Sequence, residues 1–239
     1  MVNRAILWLT DVVNHTRRGG GHLNEKFMSL DDAKQTRILN AALEEFAQKG
    51  YKNASTNEIV QKAGISKGLL FHYFGNKKQL YLFLYDYANG IFTDEFFNKL
   101  DYGKTDLFER LKQMIELKIE LSRKHPDLYD FMVCATLEEI GDVRSEIEAK
   151  SQVSIQDSMA RAFGGLDTSA LKEGLDLRRV LEIITWVGQG FANRRLLEFK
   201  RDPAKRARFD MRAEAAEFDI YAAILKDAFY KETCGRTRP

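Results

Sequence analysis

Apolar residues recur every three to four positions through most of the chain, and glycine or asparagine breaks the recurrence at intervals. That spacing places apolar side chains on one face of a helix, and the scarcity of alternating runs leaves little for strands. The clearest stretch is residues 36–80. Ile38, Leu39, Ala42, Leu43 and Phe46 form the stripe of a first helix, which Gly50 is expected to end by taking a left-handed cap. Ser55 opens a second helix with Glu58 at the capping-box distance; Ile59, Val60 and Ala63 are its buried side, and Gly64 stops it. Only Ile65 stands before Ser66, the N-cap of a third helix over 67–74, which Gly75 terminates. Asn76, with Gln79 three residues later, caps a fourth and longer helix.

Two short helices joined by a glycine turn make a helix-turn-helix pattern. An ordinary helical hairpin inside a bundle is the plain alternative. Against it, the second helix of the pair is too short to carry its own core. Lys67, His72 and Tyr73, read as its outward residues, are donors and flat rings of the kind that meet phosphates and base edges. The charge is also local. Residues 34–78 hold eight Lys and Arg against three acids, net +5; residues 1–33 are neutral, so with +2 overall the remainder carries −3. A basic module on a mildly acidic body suits a protein whose one part meets a polyanion.

The run TNEIVQKAGISKGLLFHYFGNKKQL (56–80) resembles the TetR/AcrR family of bacterial transcriptional regulators, in particular the succession A-G-I-S-K-G followed by L-F-H-Y-F-G-N-K. The resemblance covers about 45 residues; the rest fits the family only in size and helical pattern. It implies a recognition helix entering the major groove by its N-terminal end, with Ser66, Lys67, Gly68, Leu69, Phe71, His72 and Tyr73 touching DNA. Ser66 and Thr56 would donate to phosphates beside helix N-termini, Lys77 would reach the flanking backbone, and Gly68 would let the two backbones approach. Leu69 departs from the small or polar residue common there; it suits either a thymine methyl or inward packing. Leu70 and Phe74 read as core.

The chain divides into residues 1–30, expected to lie outside the fold, a helix-turn-helix domain at 31–78, and a helical effector-binding and dimerisation domain at 79–235. In the first segment a short apolar run precedes Arg17 and Arg18, which a flexible arm could carry into a minor groove. Leu80, Phe83, Leu84, Tyr87 and Ile91 share one face of the fourth helix, with a weak point at Ala88-Asn89-Gly90; the resemblance implies that this helix tilts when ligand binds behind it. Further helices are expected over 106–123, from Pro126, over 143–163, over 177–199 and over 209–230. The helix over 177–199 is apolar nearly all round between Val180 and Phe191, and 209–230 carries Phe218, Tyr221, Leu225 and Phe229 with Ile220 and Ile224 beside them. Such excess suits a two-fold dimer interface, which the family forms there. Candidate walls of an effector pocket are Phe108, Leu111, Met114, Phe131, Met132, Cys134, Trp186 and Phe191, although core packing explains each equally well; such walls suit a small lipophilic ligand.

No nucleophile elbow, zinc-protease, phosphate-loop or paired-cysteine motif occurs, and the four histidines do not cluster, so neither catalysis, metal nor cofactor is expected. Cys134 and Cys234 read as free thiols of a reducing cytoplasm. No apolar run is long enough to span a bilayer. These features describe an all-α, homodimeric, ligand-responsive repressor on a palindromic operator. A helix-turn-helix adaptor governed by a protein partner is the alternative.

Overall fold

The computed structural model describes residues 26–202, 204–205 and 208–232. Helices dominate: α1 (Asp32–Asn53), α2 (Thr56–Ala63), α3 (Lys67–Phe74), α4 (Lys77–Lys99), α5 (Leu107–Lys124), α6 (Pro126–Leu137), α7 (Gly141–Ala162), α8 (Leu177–Arg201) and α9 (Met211–Phe229). Among the described residues no strand forms; Leu171 and Tyr230 make an isolated bridge. Arg17, Arg18 and Cys234 lie outside the described residues.

Local chemistry explains the first four helix boundaries. Asp31 accepts the Lys34 N–H at 2.9 Å and starts α1. The expected stripe is buried throughout, Ile38, Leu39, Ala42, Leu43 and Phe46 all being enclosed. Gly50 breaks the helix where its sequence context suggested, with an extended ψ in place of the left-handed cap. It adopts φ 69° and ψ 172°, the chain kinks, and one further turn runs to Asn53, where the Ala54 N–H returns to the Gly50 carbonyl at 3.2 Å. Ser55 caps α2 through the Glu58 N–H, Ser66 caps α3 through the Leu69 N–H, and Asn76 accepts the Gln79 N–H ahead of α4. Gly64 takes the left-handed conformation between α2 and α3 (φ 66°, ψ 40°), while the Ile65 N–H reaches the Val60 carbonyl at 3.1 Å.

The described chain forms two compact units. One comprises residues 26–98 and 120–159, the other residues 99–119 and those from 160 onward. In the first, α1 packs extensively on α2 and α6. Its centre is aromatic: the Phe46 and Tyr81 rings lie 4.9 Å apart, and Phe131 stands 5.2 Å from Tyr81. α4 runs unbroken through Ala88-Asn89-Gly90, with Ala88 fully buried. Asp86 and Glu146 take the Lys150 and Lys78 ammonium groups at 2.7 Å, tying α4 to α7, while Glu95 receives both Lys124 and His125.

Phe27 corrects the expectation for the end of the N-terminal segment. It is completely buried, its ring 4.9 Å from Phe74, 5.5 Å from Phe83 and 6.1 Å from Tyr73. The apolar surface left beneath α3 by so short a helix is filled from upstream.

In the second unit, Arg110 is fully buried and bonded to carbonyls instead of carboxylates. Its guanidinium donates to Lys104 O at 2.7 Å, Ala162 O at 2.8 Å and Tyr102 O at 3.1 Å. That arrangement satisfies a charge that burial would otherwise penalise. α8 and α9 pair through Phe191, whose ring lies 5.4 Å from Phe218 and 5.7 Å from Tyr221, and through Arg194–Glu217 and Arg195–Glu214 ion pairs.

Candidate nucleic-acid interface

α3 presents one free edge and one packed edge. Ser66, Lys67, Gly68 and His72 are exposed, Leu69 and Phe71 are half-buried, and Leu70 and Phe74 are core. Tyr73 departs from its expected outward position. It is 5% exposed because its ring packs on Phe27 and edge-on to Phe74. Thr56 is half-buried at the first residue of α2.

The basic residues of the module fall into two groups. Glu45 binds Lys49 at 2.9 Å, Glu44 binds Lys62 at 2.8 Å and Glu146 binds Lys78. Lys77 does not extend outward as expected; its ammonium lies 5.0 Å from the Tyr51 ring centroid and donates to Lys52 O at 3.2 Å, and burial lowers its pKa. Lys34, Arg37, Lys52 and Lys67 have no carboxylate partner among the described residues. The Lys67 ammonium stands 5.9 Å from the Phe71 ring centroid. This residue therefore combines exposure, uncommitted charge and a place in the first turn of α3, where the backbone N–H groups already favour an anion.

Glu45 positions the second helix and escaped the sequence reading. It is 1% exposed, and Oε1 accepts the Ser55 N–H at 2.8 Å. Burial alone would raise its pKa, but the Lys49 ammonium and the Ser55 N–H outweigh that and hold the carboxyl below its usual range. A buried acid inside the α1 stripe fixes where α2 begins; its only sequence signal is a glutamate next to Phe46 on the apolar side.

The candidate effector residues do not gather into one lining. Phe108, Leu111 and Met114 are buried in the unit containing α8 and α9, Phe108 lying edge-on to Tyr230 at 5.2 Å. Phe131 and Met132 are core of the other unit, and the neighbouring Cys134 thiol donates to Phe46 O at 3.3 Å. Phe191 belongs to the α8–α9 contact, and Trp186 is 62% exposed. Lys118 is half-buried on α5, and burial pushes its ammonium pKa down to about 7. Among the described residues no cluster of metal-ligating side chains occurs, and no helix is long and apolar enough to cross a membrane.

Residues 38–83, from the α1 stripe through the capped turn into α4, match the family model described as bacterial regulatory proteins, tetR family. This part of the chain is a TetR-family helix-turn-helix domain. The chain is similar to the HTH-type transcriptional regulator RutR of Escherichia coli O157:H7, 32% identical over 129 residues, covering 50% of this chain and 59% of that protein. The chain thus spans less than two thirds of that relative's length. The fatty acid metabolism regulator protein of Bacillus subtilis (strain 168) is 23% identical over 159 residues, covering 63% of this chain and 77% of that protein. Among solved structures, the SmeT–triclosan complex superposes with a TM-score of 0.62 at 17% identity, over 87% of this chain and 100% of that one. A TetR family regulator from Chloroflexus aurantiacus J-10-fl gives 0.56 at 22%, over 87% and 98%. At these identities the structural likeness concerns the fold. The all-helical fold of these structures accordingly extends beyond the matched residues.

Proposed function

We propose that this TetR-family regulator is a ligand-responsive repressor that binds a palindromic operator as a homodimer in the cytoplasm. The observation that carries the reading is the free edge of α3, with Ser66, Lys67, Gly68 and His72 exposed in one short helix held from behind by Leu70, Phe74 and Phe27. Ser66, Lys67, Gly68, Leu69, Phe71 and His72 are its DNA-facing set, and Thr56 adds a phosphate contact at the start of α2. Tyr73 supports the helix from its packed side.

Dimerisation is supported by the apolar surface of the last two helices. Trp186 and Leu197 on α8, and Ile220 and Ile224 on α9, are each more than half exposed, and Tyr221 is 37% exposed. Large apolar side chains repeated at helical spacing are costly to leave in water and suit an isologous contact between two copies. Two heads would then address half-sites about 34–36 Å apart. Control by a small lipophilic ligand is supported by the apolar inner face of α5 and by a relative named for fatty acid metabolism. The ligand must favour one spacing of the heads over the other to release DNA.

Fluorescence anisotropy of the purified protein on labelled DNA from around its own gene tests the reading, with scrambled competitor and a salt series because phosphate contacts dominate affinity. Tight binding of dimers to one palindrome is expected. Binding no tighter than to scrambled DNA, persisting on a genome-wide fragment pool after ligand has been stripped by denaturing and refolding, would overturn it.

A further inference from the structure

The link between α1 and α2, residues 51–55, is gripped from three helices. The Tyr51 N–H donates to Oε2 of Glu138, at the end of α6, across 3.0 Å. The Lys52 carbonyl accepts from the ammonium of Lys77, the first residue of α4, at 3.2 Å. The Ser55 N–H, at the N-cap of α2, reaches Oε1 of Glu45 on α1 at 2.8 Å. The Tyr51 ring is held as well. The Lys77 ammonium stands 5.0 Å from its centroid, and the buried Tyr81 ring, one turn further along α4, lies 5.2 Å away.

The resemblance implies a phosphate contact for Lys77, yet its ammonium is engaged inside the protein, and the residue is half-buried. Swinging out to DNA would take a donor from the Lys52 carbonyl and a cation from the Tyr51 ring. Burial lowers its pKa while the Glu138 and Glu45 carboxylates oppose that shift, so all three charged side chains act on one another around the link. Ser55 caps α2, and only Gly64, Ile65 and Ser66 separate α2 from α3. The pose of the link is therefore passed on to the exposed edge of α3.

We propose that Lys77 is a positioning residue for DNA reading and not a phosphate contact: together with Glu138 it clamps the α1–α2 link and so fixes the pose in which α3 meets base edges. The assignment rests on the operator-binding reading given above and adds to it two residues that act without touching DNA. The two roles leave different traces. Losing a phosphate contact weakens binding to every DNA alike and lowers the salt slope by about one. Losing a positioning contact keeps the number of neutralised phosphates but spoils base contacts, which only the operator offers.

The test uses the full-length protein and its Lys77→Met, Lys77→Arg, Glu138→Ala and Lys67→Ala variants, each checked for folding by circular dichroism. Anisotropy titrations on operator and scrambled DNA at several salt concentrations give the affinity ratio and the slope. Lys77→Met keeps an unbranched side chain beside Tyr51 but removes the donor. It should lose about tenfold on the operator, stay within about twofold on scrambled DNA and keep the wild-type slope. Glu138→Ala should follow the same pattern, and Lys77→Arg should restore the ratio. Lys67→Ala, the phosphate control, should weaken both DNAs and lower the slope by about one. A Lys77→Met protein that behaves like Lys67→Ala, or that binds the operator as wild type does, would overturn the assignment. Amide hydrogen exchange reads the clamp without DNA: the Tyr51, Ala54 and Ser55 amides should exchange about tenfold faster in Lys77→Met and be unchanged in Lys67→Ala. Faster exchange there with no DNA bound by any form would remove the regulator and leave the clamp. Unchanged exchange with normal operator binding would remove the clamp and leave the regulator.

Discussion

The backbone N–H of Tyr51 donates to Oε2 of Glu138 across 3.0 Å, joining the last turn of α1 to the corner between α6 and α7. The other oxygen of the same carboxylate accepts the N–H groups of Glu139 and Ile140, both at 3.0 Å. One side chain therefore closes the kinked end of a helix in the helix-turn-helix module and starts α7. Glu138→Ala leaves three backbone donors without this acceptor and should destabilise the protein by about 1–3 kcal/mol, with Glu138→Gln costing less because an acceptor oxygen remains. Urea denaturation of the two variants checks the order.

Gly64 offers a test of backbone geometry free of packing. Its φ of 66° lies in the left-handed region, and a Cβ added there would meet nothing within 4 Å. Gly64→Ala should therefore cost about 1 kcal/mol from conformation alone, and Gly64→Asn less. Thermal melts would reveal both. An unchanged melting temperature for the alanine variant would show that the α2–α3 turn relaxes to another conformation.

Lys67 is expected to act as a phosphate contact. Lys67→Ala should weaken DNA binding by a similar factor on every sequence tried and reduce the slope of log affinity against log salt by about one. Anisotropy titrations at several salt concentrations measure it; an unchanged slope with a folded protein removes Lys67 from the interface.

Lys118 makes stability depend on pH in a direction opposite to that of a paired lysine. Its folded pKa is about 7 against 10.5 for an unhindered side chain, so between those values the unfolded chain binds the extra proton. Stability from this group must then rise as pH increases from 7 towards 10. Lys118→Met should flatten that rise and, at pH 7 or below, stabilise the ligand-free protein by about 1–3 kcal/mol. Melts across the pH range provide the comparison.

The exposed apolar surface of α9 carries the prediction about assembly. A charge placed on it, as in Ile224→Asp, should convert dimers to monomers in sedimentation experiments while leaving the fold intact, because Ile224 is 61% exposed within one chain.

Features that depend on neighbours in sequence were legible in advance. The α1 stripe and the caps at Ser55, Ser66 and Asn76 follow from residue spacing and from side chains that satisfy the first N–H groups of a helix. Features that depend on distant packing were not. Tyr73 reads as an outward ring until Phe27 covers it, and Lys77 reads as a free cation until the Tyr51 ring and the Lys52 carbonyl hold it. Gly50 interrupts the helix where expected, but the further turn to Asn53, closed by the Ala54 N–H on the Gly50 carbonyl, is not marked by spacing. Lys118 looks like any helical lysine until the burial of Met114 and Leu111 shows which way that face points. In the site, the exposed edge of α3 was readable from its motif, whereas Glu45, which fixes the start of α2, required the three-dimensional contact with the Ser55 N–H.

The seat of Phe27 bears on how the protein should be handled in the laboratory. A version trimmed to begin at Met28 would retain every helix from α1 onward yet lose the ring that fills the space behind Tyr73, Phe74 and Phe83. The resulting hole would open directly under α3, with a loss of about 3–5 kcal/mol typical of an emptied phenylalanine site. The minimal helix-turn-helix fragment is therefore bounded upstream by an aromatic plug, and a tag or cleavage site belongs ahead of it.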